Sequence, residues 1–178
     1  MAANRYLGRV LAMSLPLLSI GLSLGGCGFM PLYAPASDAR AAQFAQVFVS
    51  VIADRPGQEL RQALQMRLDD GSASANKTLV LDVSYTVVNQ GLSVQADNST
   101  TRNRINGAAS WSLHSVANPK MTLFKGQVRA VDGYNVLNGQ FFYADLSAQA
   151  AEKRLAEALA DQIAARLAVY FKTYPVHA

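Results

Sequence analysis

Groups able to attack, ionise or hold a metal are scarce in these 178 residues, which contain one cysteine, two histidines and three glutamates. The lone Cys27 excludes an intrachain disulfide, so the thiol needs another explanation. It closes the run Leu24-Gly25-Gly26-Cys27, an aliphatic residue and two small residues ahead of the sulfur. Small residues let an extended backbone enter a narrow protease site, and a thiol can carry a thioether-linked diacylglyceride. We therefore read Cys27 as a lipidation site in a lipobox, made the new N-terminus by cleavage after Gly26. The preceding residues fit that reading. Met1 to Arg9 carries two arginines and no acid, and Val10 to Ser23 (VLAMSLPLLSIGLS) is apolar. That stretch is shorter than the roughly 20 residues of a spanning helix and has the layout of a secretory signal peptide.

The remaining reactive groups do not converge. His114 is expected on the polar face of a strand and His177 is next to the last residue, neither with a metal-ligand neighbour at useful spacing. Asp69-Asp70 reads as a solvated helix end, and no nucleophile elbow, phosphate loop or dinucleotide glycine pattern is present. The expectation is a protein that is not an enzyme and takes no cofactor or metal. The net charge of +4 includes Arg5 and Arg9 of the leader; without them 14 basic and 12 acidic residues leave +2, too weak a field to predict nucleic-acid binding.

One basic set has a chemical use. Arg102, Arg104, Lys120, Lys125 and Arg129 fall on the predicted polar face, or at the ends, of neighbouring strands. Guanidinium forks pair well with phosphate oxygens, so Arg102, Arg104, Lys120 and Lys125 are candidate ligands for the phosphates of an anionic lipid. The competing reading is an ordinary solvated surface.

Those side chains need a frame, and the apolar periodicity supplies one. Phe44 to Ile52 (FAQVFVSVI) reads as a strand. Leu60, Ala63, Leu64, Arg67 and Leu68 mark the stripe of a helix that stops near Asp69-Asp70-Gly71-Ser72. Three alternating runs follow: Leu79 to Val87; Ile105 to Leu113 with Trp111 on the apolar side; and Phe124 to Ala130. Gln90 to Thr101 reads as a long polar loop, Val116 to Lys120 as a short turn, and Tyr134 to Phe142 as irregular. From Asp145 to Phe171, with Asp145 or Ser147 as cap, Leu155, Leu159, Ile163, Leu167 and Phe171 recur every four residues as one long helix. The prediction is an α+β fold of order β-α-β-β-β-α: a four-stranded, mainly antiparallel sheet with two helices packed on one face. Residues 1–26 are read as a removed signal peptide, 27–43 as lipid anchor and linker (Pro31 to Arg40 extended), and 44–174 as a single domain.

With these elements laid out, the chain resembles the LPS-assembly lipoprotein LptE family. The resemblance rests on Cys27-Gly28-Phe29-Met30-Pro31-Leu32-Tyr33, similar to a Cys-Gly-Phe-x-Pro-Leu-Tyr start, and on the alanine-rich last helix with its Gln162-Ile163-x-x-Arg166-Leu167 element. It implies a partner, the outer-membrane β-barrel LptD, with the lipoprotein as a plug that assists barrel assembly and helps deliver lipopolysaccharide to the outer leaflet. Gly28, in place of an aspartate after the cysteine, implies lipid anchoring to the outer membrane on its periplasmic side. The alternative is another periplasm-facing lipoprotein acting as a binding or envelope-scaffold module, because a fold alone does not fix a function.

Overall fold

The computed structural model describes residues 38–68, 76–94, 100–136 and 140–174. Cys27, Asp69-Asp70 and His177, together with the leader and most of the predicted linker, lie outside the described residues. The elements are α1 (Asp38–Ala45), β1 (Val47–Val49), α2 (Asp54–Leu68), β2 (Leu79–Val94), β3 (Thr100–Ser115), β4 (Asn118–Asn135) and α3 (Phe141–Thr173). The strands form one sheet in the order β1-β2-β3-β4. β1 runs parallel to β2 from Val47↔Leu79 to Val49↔Leu81, and the other two pairs are antiparallel. The predicted α+β order is found, with a short helix added in front.

Alternation decides which face is covered. Leu79, Leu81, Ile105, Ala109, Trp111, Leu113 and Val128 are buried, and they meet the stripe of α3 made by Leu155, Leu159, Ile163, Leu167 and Phe171. Each fully buried leucine or isoleucine in this layer contributes about 1.5–3 kcal/mol relative to exposure. Two glycines permit the close approach. A Cβ on Gly107 would lie 3.0 Å from Leu155 Cδ2, and one on Gly126 would lie 2.8 Å from the Trp111 ring. Trp111 also meets Phe124 edge-on at 5.0 Å, and Phe124 stacks on Tyr170 of α3 at 4.8 Å.

Helix α2 turns Leu60, Ala63, Leu64 and Leu68 into the same core. A two-pronged ion pair ties it to α3: Arg67 Nε lies 2.5 Å from Asp161 Oδ1 and Arg67 Nη2 lies 3.1 Å from Asp161 Oδ2. The parallel guanidinium–carboxylate geometry fixes orientation as well as charge.

The elements differ from the sequence expectation at their ends. Phe44 and Ala45 close α1 rather than opening a strand, because the Phe44 ring packs edge-on against Phe171 at 5.8 Å. Only Val47–Val49 pair, and the expected extended linker has given way to helix from Asp38. β2 runs to Val94 and β3 starts at Thr100, so the expected loop from Gln90 is mostly ladder, with register shifts between Gly91 and Val94. β4 reaches Asn135, and α3 starts at Phe141 behind Gln140, whose side chain makes no capping bond; neither Asp145 nor Ser147 caps it.

Candidate functional site

The face of the sheet away from the helices carries the side chains with binding chemistry. Cross-strand register sets them in rows: Asp82–Ser112–Lys125, Ser84–Ser110–Gln127, Thr86–Ala108–Arg129 and Gln90–Arg104–Gly133. Short hydroxyl side chains in the first two rows leave a shallow groove of 710 Å³, lined by Ser50, Asp82, Ser84, Ser110, Ser112, Lys125 and Gln127 among others. No helix among the described residues covers this face, and no described polar or charged residue is buried in the core.

The cations predicted from the sequence are brought together in part. Arg102 and Arg104 lie two residues apart on β3, about 7 Å along the strand, beside a 350 Å³ groove with Leu92 and Val131. Arg129 and Lys125 continue along β4 at intervals of about 13 Å. Lys120 is exposed near the β3–β4 turn, apart from the others. Among the described residues none of these five pairs with a carboxylate, whereas Arg67, Arg154 and Arg55 all do. The open face is thus a ladder of cations on hydroxyls rather than one tight cluster.

The nearest approach to catalytic chemistry has the wrong order. Ser50 Oγ donates to Asp82 Oδ1 at 2.6 Å, and His114 Nδ1 stands 3.5 Å from Asp82 Oδ2. Nucleophile activation needs the imidazole between hydroxyl and carboxylate. Here the carboxylate sits in the middle, so His114 cannot take the Ser50 proton. No group of three metal-ligating side chains is found among the described residues.

Three titrations are displaced among the described residues, at Tyr85, Asp132 and Tyr170, the last raised by burial and by the neighbouring Tyr174. Burial, with the charges of Glu152 and Glu59 adding to it, pushes the Tyr85 phenol up to about 12. Its hydroxyl and the Trp111 indole nitrogen are buried without a partner. At Asp132 burial acts upward, but hydrogen bonds from Arg154 and the Gly133 N–H, with the Arg154 charge, outweigh it and hold the carboxyl below its ordinary value.

Sequence reasoning missed one surface. Phe141, Phe142 and Tyr143 open α3 with 86%, 72% and 64% of their surface exposed. The three consecutive aromatics were themselves the available signal.

The family model LptE, lipopolysaccharide-assembly, matches residues 44–167, from the end of α1 to the last turns of α3. The chain belongs to the LptE family. Solved structures agree on the fold. A lipoprotein from Caulobacter crescentus CB15 matches with a TM-score of 0.58 and 21% identity, over 75% of this chain and 96% of that one. A minor lipoprotein from Acinetobacter baumannii gives 0.53 and 15%, over 71% and 92%. The rare lipoprotein B from Shewanella oneidensis gives 0.51 and 13%, over 71% and 96%. No curated protein matches the chain. Membership of LptE makes this a lipopolysaccharide-assembly protein, in a family that is not one of enzymes. No helix among the described residues is long and apolar enough to cross a membrane.

Proposed function

We propose that this LptE-family chain is acylated on Cys27, held by its lipid on the periplasmic side of the outer membrane, and seated as a plug in the lumen of the barrel LptD. There it assists barrel assembly and helps deliver lipopolysaccharide to the outer leaflet. One observation carries the reading: a sheet face rich in hydroxyls and amides, bearing cations that have no carboxylate partner among the described residues. A polar lumen wall matches such a face. Arg102, Arg104, Lys120 and Lys125 are the proposed contacts for lipopolysaccharide phosphates, through charge-assisted hydrogen bonds.

Crosslinking in native envelopes followed by purification tests the partner. A large outer-membrane barrel recovered with the chain supports the plug; its absence under conditions that preserve such complexes refutes it. Replacing Arg102, Arg104, Lys120 and Lys125 together by Gln should weaken lipopolysaccharide binding at least tenfold, each charged contact being worth about 1.5–3 kcal/mol before solvent screening. Unchanged affinity removes the assignment. Mass spectrometry of the exported chain should find Cys27 acylated at the N-terminus.

A further inference from the structure

The two edges of the sheet are treated very differently. On β4 the outward-facing backbone belongs to Lys125, Gln127 and Arg129, and Gln162 of α3 donates its amide to the Arg129 carbonyl at 3.1 Å. With Pro119 at its start and Lys120, Lys125 and Arg129 along it, that edge carries the features that keep other strands from pairing.

The β2 edge carries none of them. β1 fills only its first rungs: the Leu79 N–H bonds the Gln46 carbonyl, and the Ser50 N–H bonds the Leu81 carbonyl. Alternation then turns the N–H and C=O of Val83, Tyr85, Val87 and Asn89 to the same side, because the residues between them pair with β3. No described group bonds those eight backbone atoms. From Val83 to Gln90 (VSYTVVNQ) there is no charge and no proline. Val83, Tyr85 and Val87 are only half-buried on the helix side, and the 710 Å³ groove opens beside Val83 and Ser84 where Ser50 and Val51 leave the sheet.

We infer that the β2 edge from Val83 to Asn89 takes an added strand, an extended and uncharged segment of the partner polypeptide with apolar residues on one side and small polar ones on the other. Only another extended backbone matches donors and acceptors repeating about every 6.8 Å, and only that alternation covers Val83, Tyr85 and Val87 while leaving Ser84 and Thr86 wet. If the partner is the barrel, the segment comes from a loop or terminus, since strands of a closed wall have both sides paired. The inference rests on the plug reading for the identity of the partner, and its test separates the two.

Amide hydrogen exchange on the full-length chain, alone and in complex with the co-expressed barrel, reads the edge directly. In the free chain the amides of Val83, Tyr85 and Val87 should exchange quickly while those of Ser84 and Thr86 are protected by β3. In the complex the first three should slow by about tenfold or more. Ser84→Lys with Thr86→Lys should weaken the complex at least tenfold, and Ala158→Lys, the same charge on an exposed position of α3, should change it little. A complex in which the three amides exchange as in the free chain overturns the added strand and leaves the plug standing. Protection in the isolated chain that grows with its concentration means that a second copy fills the edge, which also overturns it. If no complex forms, both readings fall.

Discussion

The helix-covered and open faces of the sheet come from the same three strands and the same two-residue alternation, yet they are built for opposite ends. On the covered face the large residues are apolar and fitted to α3, with Gly107 and Gly126 where a side chain would collide. On the open face the residues are mostly polar, with Val88 and Val131 exposed among them, and the cations have no carboxylate partner among the described residues. Stability is concentrated on one side, and contacts the chain cannot satisfy alone are concentrated on the other.

The sharpest way to break that contrast is to damage the covered face. Leu159→Ala, at a fully buried position, should cost about 2–5 kcal/mol in denaturant unfolding, while Ser110→Ala on the open face should stay within about 0.5 kcal/mol. Gly107→Val should follow at about 1–3 kcal/mol, because the added carbons meet Leu155 and Leu159. Asp161→Asn weakens the clasp on Arg67; with Asp161 half-exposed, the loss should be about 1 kcal/mol or less and should shrink in high salt.

The smallest effects are those of pH. The raised Tyr85 pKa, about 12 in the folded chain, means that the folded state keeps the proton longer than the unfolded one. Its contribution is complete below pH 10 and is lost as pH rises towards 12, so Tyr85→Phe should flatten the alkaline fall in stability. At neutral pH that variant should be no less stable, since the hydroxyl has no partner to lose. Asp132 has the opposite sign. Its lowered pKa gives stability that is present above the ordinary carboxylate range and disappears as pH falls through the folded value, and Arg154→Met should remove that step from an acid titration.

What could be read from the residues depended on how locally each feature is determined. The faces of β2, β3 and β4 and the stripe of α3 follow from side-chain periodicity, which needs no knowledge of the partner element. Segment ends do not. Asn89 to Val94 contains glycine, serine and amides that disfavour a strand, yet pairing with β3 holds it in the ladder. Phe141 to Tyr143 are weak helix formers, and α3 nonetheless begins there. The cations of the candidate site were visible as a set, but Lys120 stands apart because the turn residues after Ser115 end the regular alternation. The β2 edge was hidden altogether. In the observed register even a nine-residue strand from Phe44 to Ile52 would have ended opposite Ser84, and the packing of Phe44 on Phe171 and the exit at Ser50 stop the pairing earlier, at Leu81.

The clasp between Arg67 and Asp161 joins residues 94 positions apart, and Phe44 waits for Phe171 in the same way. A chain made from its N-terminus therefore presents the greasy flank of α2 to its surroundings until nearly the whole of α3 has been delivered. For that interval Leu60, Leu64 and Leu68 lack their cover, and C-terminal truncation before Asp161 turns a passing exposure into a lasting one.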